Sequence, residues 1–241
     1  GQIKYLSTLF GAGFLTVTKY IEDAKELLRA IKAEGLTGIR WAAYIRADNL
    51  DPELAQLMVE TGSIRVLDIL ANASATIAEG EVLQLTAAAD LATTEEIYFK
   101  VVRGKTAALF SAAMEVGGVI AAADETLVKA LFNYGDALGI SFQIVDDLLD
   151  YGGTSAIGKN VGDDFRERKL TLPVIRAIAA GDADERAFWE RTIAKGNQAE
   201  GDLEKAMVIL ERHGTMESTR DTAIEWSEKA KASLSPLPDH A

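Results

Sequence analysis

From residue 53 to residue 172 the chain contains no proline. Proline inside a helix costs about 3 kcal/mol or more, so so long a stretch without it is open to long helices. The apolar spacing shows that it uses them. Residues 63–90, SIRVLDILANASATIAEGEVLQLTAAAD, set Ile64, Leu67, Leu70, Ile77, Val82 and Leu85 at helical intervals. Gly80 lies inside that pattern at a cost of about 1 kcal/mol relative to alanine. The next helix opens at Thr93-Thr94-Glu95-Glu96, a threonine cap before an acidic first turn. Its Ala107, Ala108, Ala112, Ala113, Gly117 and Gly118 allow close helix approach. A third helix starts at Asp124 and is expected to stop before Gly152-Gly153. Further helices are expected over 184–195, 201–212 and 216–233, with His213-Gly214 as the turn between the last two. From residue 55 onward the chain reads as all-α.

The N-terminal part has a different grammar. A helix runs to Ala33, Glu34-Gly35 stops it, and Ile39-Arg40-Trp41-Ala42-Ala43-Tyr44-Ile45 has the β-branched and aromatic content of a strand. Helix, glycine and strand together suggest an α/β unit rather than a bundle. Residues 1–54 are therefore left as an unassigned N-terminal segment, and residues 55–241 are expected to form one helical domain.

Composition narrows the chemistry. With no cysteine, disulfides, thiolate metal sites, iron–sulfur clusters and cysteine nucleophiles are excluded for this chain. Two histidines, His213 and His240, are too few for a histidine-rich metal centre. Oxygen ligands remain, and with them Mg²⁺, Mn²⁺ or Ca²⁺. A formal net charge of −12 argues against nucleic acid as a partner. There is neither a membrane-length apolar run nor the basic-then-apolar pattern of a signal peptide. A cytoplasmic protein without a membrane span is the expectation.

Against that background one helix ends oddly. Phe142-Gln143-Ile144-Val145 begins as core and gives way to Asp146-Asp147-Leu148-Leu149-Asp150. On a helix, Asp146 and Asp150 share a face about 6 Å apart along the axis, Asp147 lies about 100° round, and Gln143 joins the same wedge. Carboxylates crowded near a helix C-terminus repel one another and the macrodipole, at about 0.3–1 kcal/mol each. A solvated acidic helix end is the plain alternative, but the apolar run before the aspartates disfavours it. Downstream stand Lys159, Asp163, Asp164, Arg166, Arg168 and Lys169. Mg²⁺ is typically held by one or two carboxylates together with substrate phosphates, so carboxylates with separate lysines suggest a diphosphate carried by Mg²⁺. No Gly-x-x-x-x-Gly-Lys-Ser/Thr loop is present. Arg103-Gly104-Lys105-Thr106 is a second candidate phosphate contact.

The stretch GISFQIVDDLLDY…GKNVGDDFRERKLTLPVIRA resembles the second aspartate-rich motif of the trans-polyprenyl (isoprenyl) diphosphate synthases. RGKTAALF resembles that family's helix carrying a diphosphate-contacting Lys-Thr pair, and ANASATIAEGEVLQL its preceding core helix. The resemblance covers about residues 55–238. It implies an all-α, isoprenoid-synthase-type helical bundle, a homodimer, and Mg²⁺-dependent (or Mn²⁺-dependent) head-to-tail condensation of isopentenyl diphosphate with an allylic diphosphate. Long-chain enzymes that make quinone side chains are the nearest likeness. Carried over by residue, Asp146, Asp147 and Asp150 would bind the metal, with Gln143 beside them. Lys105, Thr106, Lys159 and Lys169 would contact the allylic diphosphate, and Asp164 would support that loop. Arg168 stands where the family often has glycine.

The family's first aspartate-rich motif, followed by paired arginines, is not found before residue 63; Asp48-Asn49-Leu50-Asp51 is the nearest acidic cluster. LLRAIKAEGLTGIRWAAYIRADNLDPELAQLMVETG faintly resembles a helix–strand unit of a radical-SAM barrel, whose chemistry the absence of cysteine excludes. Two functions stay open at this point: an active prenyltransferase, and a catalytically inactive synthase-like partner or scaffold subunit. Trp189, Trp226 and His213 are read as packing or turn residues.

Overall fold

A computed structural model describes residues 21–34, 52–53, 56–57, 64–152 and 161–238. Every regular element among these is helical. They are α1 (Ile21–Ala33), α2 (Ile64–Ala87), α3 (Glu95–Val102), α4 (Ala108–Ile120), α5 (Glu125–Gly152), α6 (Asp163–Arg166), α7 (Leu172–Ala180), α8 (Ala183–Trp189), α9 (Asp202–Arg212) and α10 (Thr215–Ser233). None of the described helices is long and apolar enough to cross a membrane. The strand expected at Ile39–Ile45 and the acidic cluster Asp48–Asp51 lie outside the described residues.

The termini follow the chemistry of their residues. Thr94 caps α3 by accepting the Ile97 N–H, and Asp124 caps α5 by accepting the Leu127 N–H at 2.9 Å. Asp182 and Glu185 form a reciprocal capping box at the start of α8. His213 and Gly214 turn the chain between α9 and α10, Gly214 with φ 61°. The helix expected at 184–195 is α8 followed by a wider turn over Glu190–Ala194. Helix α7 went unnamed in the sequence, although Thr171 ahead of Pro173 is a start signal.

The chain divides into two compact units, residues 1–72 with 116–128 and residues 73–115 with 129–241. In the first, Lys25 of α1 is buried and pairs with Glu53 at 3.2 Å, which also takes Arg29. Arg65 of α2 makes a two-pronged pair with Glu125, the Nη2–Oε2 arm at 2.8 Å.

The second unit carries two apolar clusters, and α7 serves both. Its Val174, Ala177 and Ile178 pack with Tyr151, Phe165, Phe188, Trp189, Ile193 and the α9 residues Ala206, Ile209 and Leu210. Its Leu172 and Ile175 pack with Tyr98, Val102, Ala107, Ile140, Ile144 and Ala223. Trp189 is fully buried, and Trp226 lies 6.0 Å from the Phe99 ring, so both tryptophans are packing residues. Small residues bring backbones together. A Cβ on Gly80 would lie 2.6 Å from the Lys105 nitrogen, and one on Gly139 would lie 2.6 Å from Ala107 Cα.

Helix α6 ends in a Schellman motif. The Lys169 N–H donates to the Asp164 carbonyl at 2.9 Å and the Arg168 N–H to the Phe165 carbonyl at 3.0 Å. That motif puts Arg168 at φ 59°, in the left-handed region where glycine is at ease. The residue that stands in a glycine position therefore keeps the glycine backbone. Its side chain lies over Gly196, where an added Cβ would come within 2.8 Å of Nη1. Left-handed geometry costs a non-glycine residue about 1–2 kcal/mol, and glycine's looser unfolded chain returns about 0.4–1 kcal/mol. Arg168→Gly is thus expected to raise stability by up to about 1 kcal/mol in urea melts. A fall would mean that the contacts over Gly196 dominate.

Candidate active site

Helix α3 does not pass straight into α4. Over Arg103–Ala107 the coil widens by one residue, with the Ala108 N–H donating to the Arg103 carbonyl five residues back. Such π-turns are frequent at functional sites. This one falls on Arg103-Gly104-Lys105-Thr106. Gly104, buried against Gly80, lets α2 press on the turn, since a Cβ at 104 would meet Gly80 Cα at 3.0 Å.

The turn packs on α5, and together with its acidic end it lines a cavity of about 380 Å³. Lys105, Thr106, Gln143, Asp146, Asp147, Asp164, Lys169 and Thr171 line it, with Leu85, Val101 and Val102 among its apolar walls. Of the residues expected at a site, it therefore gathers Lys105, Thr106, Gln143, Asp146, Asp147, Asp164 and Lys169. Lys159 lies outside the described residues.

Asp150 is placed differently from its two neighbours. It is buried, and its two oxygens accept the backbone N–H groups of Asp163 and Asp164, each at 3.1 Å. Its carbonyl takes the Gly162 N–H at 2.8 Å. It holds the turn that leads into α6 and is not among the residues lining the cavity. Burial raises its pKa, with the Asp164 charge adding and the two N–H bonds opposing.

Asp147 is 4% exposed and has a partner on each oxygen. The Tyr98 hydroxyl donates to Oδ2 at 2.6 Å, and the Gln143 amide donates to Oδ1 at 3.0 Å. The Gln143 carbonyl oxygen in turn accepts from the Thr106 hydroxyl at 2.8 Å. The amide orientation follows from the chemistry: reversed, Gln143 would set an acceptor against a carboxylate. Burial pushes Asp147 up to about 7, the Asp164 and Asp146 charges adding and the bonds from Tyr98 and Gln143 opposing. Burial also raises the Tyr98 pKa well above its usual value, with the Asp147 charge adding, so Tyr98 stays a donor.

The lysines are braced. Lys105 Nζ donates to Gln84 at 2.7 Å and pairs with Glu81 at 3.1 Å. Lys169 pairs with Glu167 at 2.7 Å and Asp164 at 3.0 Å. Burial acts to lower the Lys169 pKa, but these bonds outweigh it and hold the ammonium charged. Asp164 thus holds the Lys169 ammonium in place.

Tyr98, Gln84 and Glu81 were missed in the sequence. A tyrosine seven residues ahead of Lys105, among the apolar positions of α3, was the available signal for the first. The other two read as ordinary polar positions of α2, because only the Gly80–Gly104 approach brings them to Lys105.

The donor set fits a hard divalent cation. Oxygen atoms alone are offered, and Asp146 and Asp147 are adjacent carboxylates on the wall whose mutual charge a cation would neutralise. Among the described residues no three carboxylates or histidines converge into a ready-made metal cage.

An all-α fold with an aspartate-lined cavity facing braced lysines defines the class, and the comparisons define the family. Residues 36–210 match the family model described as polyprenyl synthetase, and the chain belongs to that family. The match begins upstream of residue 55. The octaprenyl diphosphate synthase of Escherichia coli (strain K12) is 40% identical over 199 residues, covering 82% of this chain and 61% of that protein. A polyprenyl synthase from Roseobacter denitrificans superposes with a TM-score of 0.73 at 61% identity, covering 90% of this chain and 69% of that one. A polyprenyl synthase from Caulobacter crescentus CB15, complexed with calcium and isoprenyl diphosphate, gives 0.72 at 38% identity, covering 91% and 72%. The chain spans about three fifths of the length of the first curated relatives it matches.

Proposed function

We propose that this chain carries the cation and allylic-diphosphate half of a polyprenyl diphosphate synthase, which condenses isopentenyl diphosphate head-to-tail with an allylic diphosphate. The observation that carries the reading is the single cavity that Asp146 and Asp147 line together with Lys105 and Lys169. The isoprenyl diphosphate and calcium bound by the Caulobacter crescentus relative support it.

In this reading Asp146 and Asp147 hold Mg²⁺, with Mn²⁺ able to replace it, and Asp150 anchors the turn that brings Asp164 and Lys169 alongside. When bound, the cation supplies charge stabilisation of the departing diphosphate. Lys105 and Lys169 bind the diphosphate oxygens from preset positions, so little reorganisation is needed as charge develops. Lys159 is assigned to the same diphosphate by its place in the motif. Thr106 has one hydroxyl proton and gives it to Gln143, so it meets the diphosphate only after that hydroxyl turns. The allylic C–O bond breaks with its electron pair leaving on the diphosphate. The double bond of isopentenyl diphosphate then forms the new C–C bond, and a proton is lost. Leu85, Val101 and Val102 keep water from the allylic cation.

The long-chain name of the Escherichia coli relative supports a long product, of the kind used for quinone side chains. A homodimer and a cytoplasmic location, both implied by the family resemblance, complete the proposal. The test is incubation with an allylic diphosphate and labelled isopentenyl diphosphate, before and after metal removal by EDTA. Labelled polyprenyl diphosphate that vanishes with EDTA and returns with Mg²⁺ is expected. No product from protein of confirmed mass, or product indifferent to EDTA, would overturn the reading.

A further inference from the structure

Thr106 and Asp147 both line the cavity from different segments, and one unbroken hydrogen-bonded chain joins them and continues to a residue outside the metal and phosphate sets. It runs from the Thr106 hydroxyl to Gln143 at 2.8 Å, from Gln143 to Asp147 at 3.0 Å, and from the Tyr98 hydroxyl to Asp147 at 2.6 Å. Three segments meet in it: α3, the 103–107 turn and the acidic end of α5. With Asp147 ionised its direction is fixed, because Thr106 and Tyr98 each have one proton to give and the carboxylate only accepts.

We propose that Tyr98 is a positioning residue for the cation site. Its hydroxyl fixes the Asp147 carboxylate from behind, and through Gln143 it registers the acidic wall against the Lys105-Thr106 wall. The proposal rests on the functional reading above. Without the Tyr98 bond, Asp147 keeps a single tether and its carboxylate plane is free to turn. The Tyr98 end is itself held firmly. Its ring is 6% exposed and packs edge-on to Phe99 at 5.4 Å. Helix α3 is pinned to α7 by the two-pronged Arg176–Glu95 pair at 2.9 and 3.0 Å, whose arginine also reaches Ser218 at 3.4 Å. A ring held that rigidly carries a donor for which no apolar packing role has a use. Partners of ligating groups typically contribute tenfold or more to metal affinity.

The experiment is a Mn²⁺ titration in the presence of inorganic pyrophosphate, read by electron spin resonance on wild type, Tyr98→Phe, Thr106→Val and the double variant, with thermal melts as folding controls. Tyr98→Phe is expected to weaken Mn²⁺ binding about tenfold, and Thr106→Val to weaken it in the same sense. The double variant, which loosens both tethers of the Asp147 carboxylate, is expected to bind Mn²⁺ more weakly than either single variant. In turnover, Tyr98→Phe is expected to lower kcat more than it raises KM. Unchanged Mn²⁺ affinity in folded Tyr98→Phe would overturn the proposal. Absence of Mn²⁺ binding in wild type would instead overturn the reading on which it rests.

Discussion

Asp146→Asn is expected to lower the condensation rate about 10²–10³-fold, the range for losing one preset electrostatic contact to the developing charge. Of the three aspartates, Asp146 lines the cavity without the deep burial of Asp147 or the backbone-capping duty of Asp150. Its removal takes away one like charge that acts on Asp147, so the melting temperature is expected to hold or rise. Asp150→Asn should instead lower the melting temperature. It weakens acceptors for the Asp163 and Asp164 N–H groups and loosens the Lys169 loop. Steady-state rates beside thermal melts separate the two. Equal rate losses with equal destabilisation would mean that the aspartates have only a structural role.

Gly80→Ala is expected to destabilise the protein by about 1–3 kcal/mol, the usual range for overpacking. By helix propensity alone the change should gain about 1 kcal/mol. The added methyl, however, would meet backbone atoms, Lys105 N at 2.6 Å and Gly104 C at 2.8 Å, and backbone cannot swing aside. The π-turn must move away from α2, and Lys105 would lose its register with Gln84 and Glu81. Gly117→Ala is the matched control. A Cβ there meets nothing within 4 Å, so it is expected to stabilise by up to about 1 kcal/mol. Chemical denaturation of both variants checks the pair, and a stabilised Gly80→Ala would contradict the close helix approach described above.

These glycines show where the sequence stopped being informative. Period and caps located α2, α3, α5, α9 and α10, because apolar spacing and residues such as Thr94 and Asp124 act locally. Gly80 was legible only as a defect in a helix; its value lies in what α2 meets twenty-four residues later, which no local pattern encodes. The acidic wedge was legible for the same local reason, since helical geometry alone groups Gln143, Asp146 and Asp147. Asp150 shares that wedge by angle, but its destination is set by the N–H groups of Asp163 and Asp164, thirteen and fourteen residues downstream. Tyr98 was illegible because its partner is forty-nine residues away. Helix α7 was overlooked because all but Arg176 of its nine residues are apolar, as befits an element buried between two clusters. Arg168 was legible in part: the motif pointed to glycine, and the backbone kept glycine's left-handed turn.

The central claim is that the acidic turn and the braced lysines form one site for a diphosphate together with a divalent cation. Calorimetric titration of inorganic pyrophosphate into the protein, with Mg²⁺ and then with EDTA, tests it most directly. The account predicts saturable binding with Mg²⁺ that disappears in EDTA and in Asp146→Asn. Pyrophosphate binding of equal strength without the metal, or no binding in its presence, would contradict it.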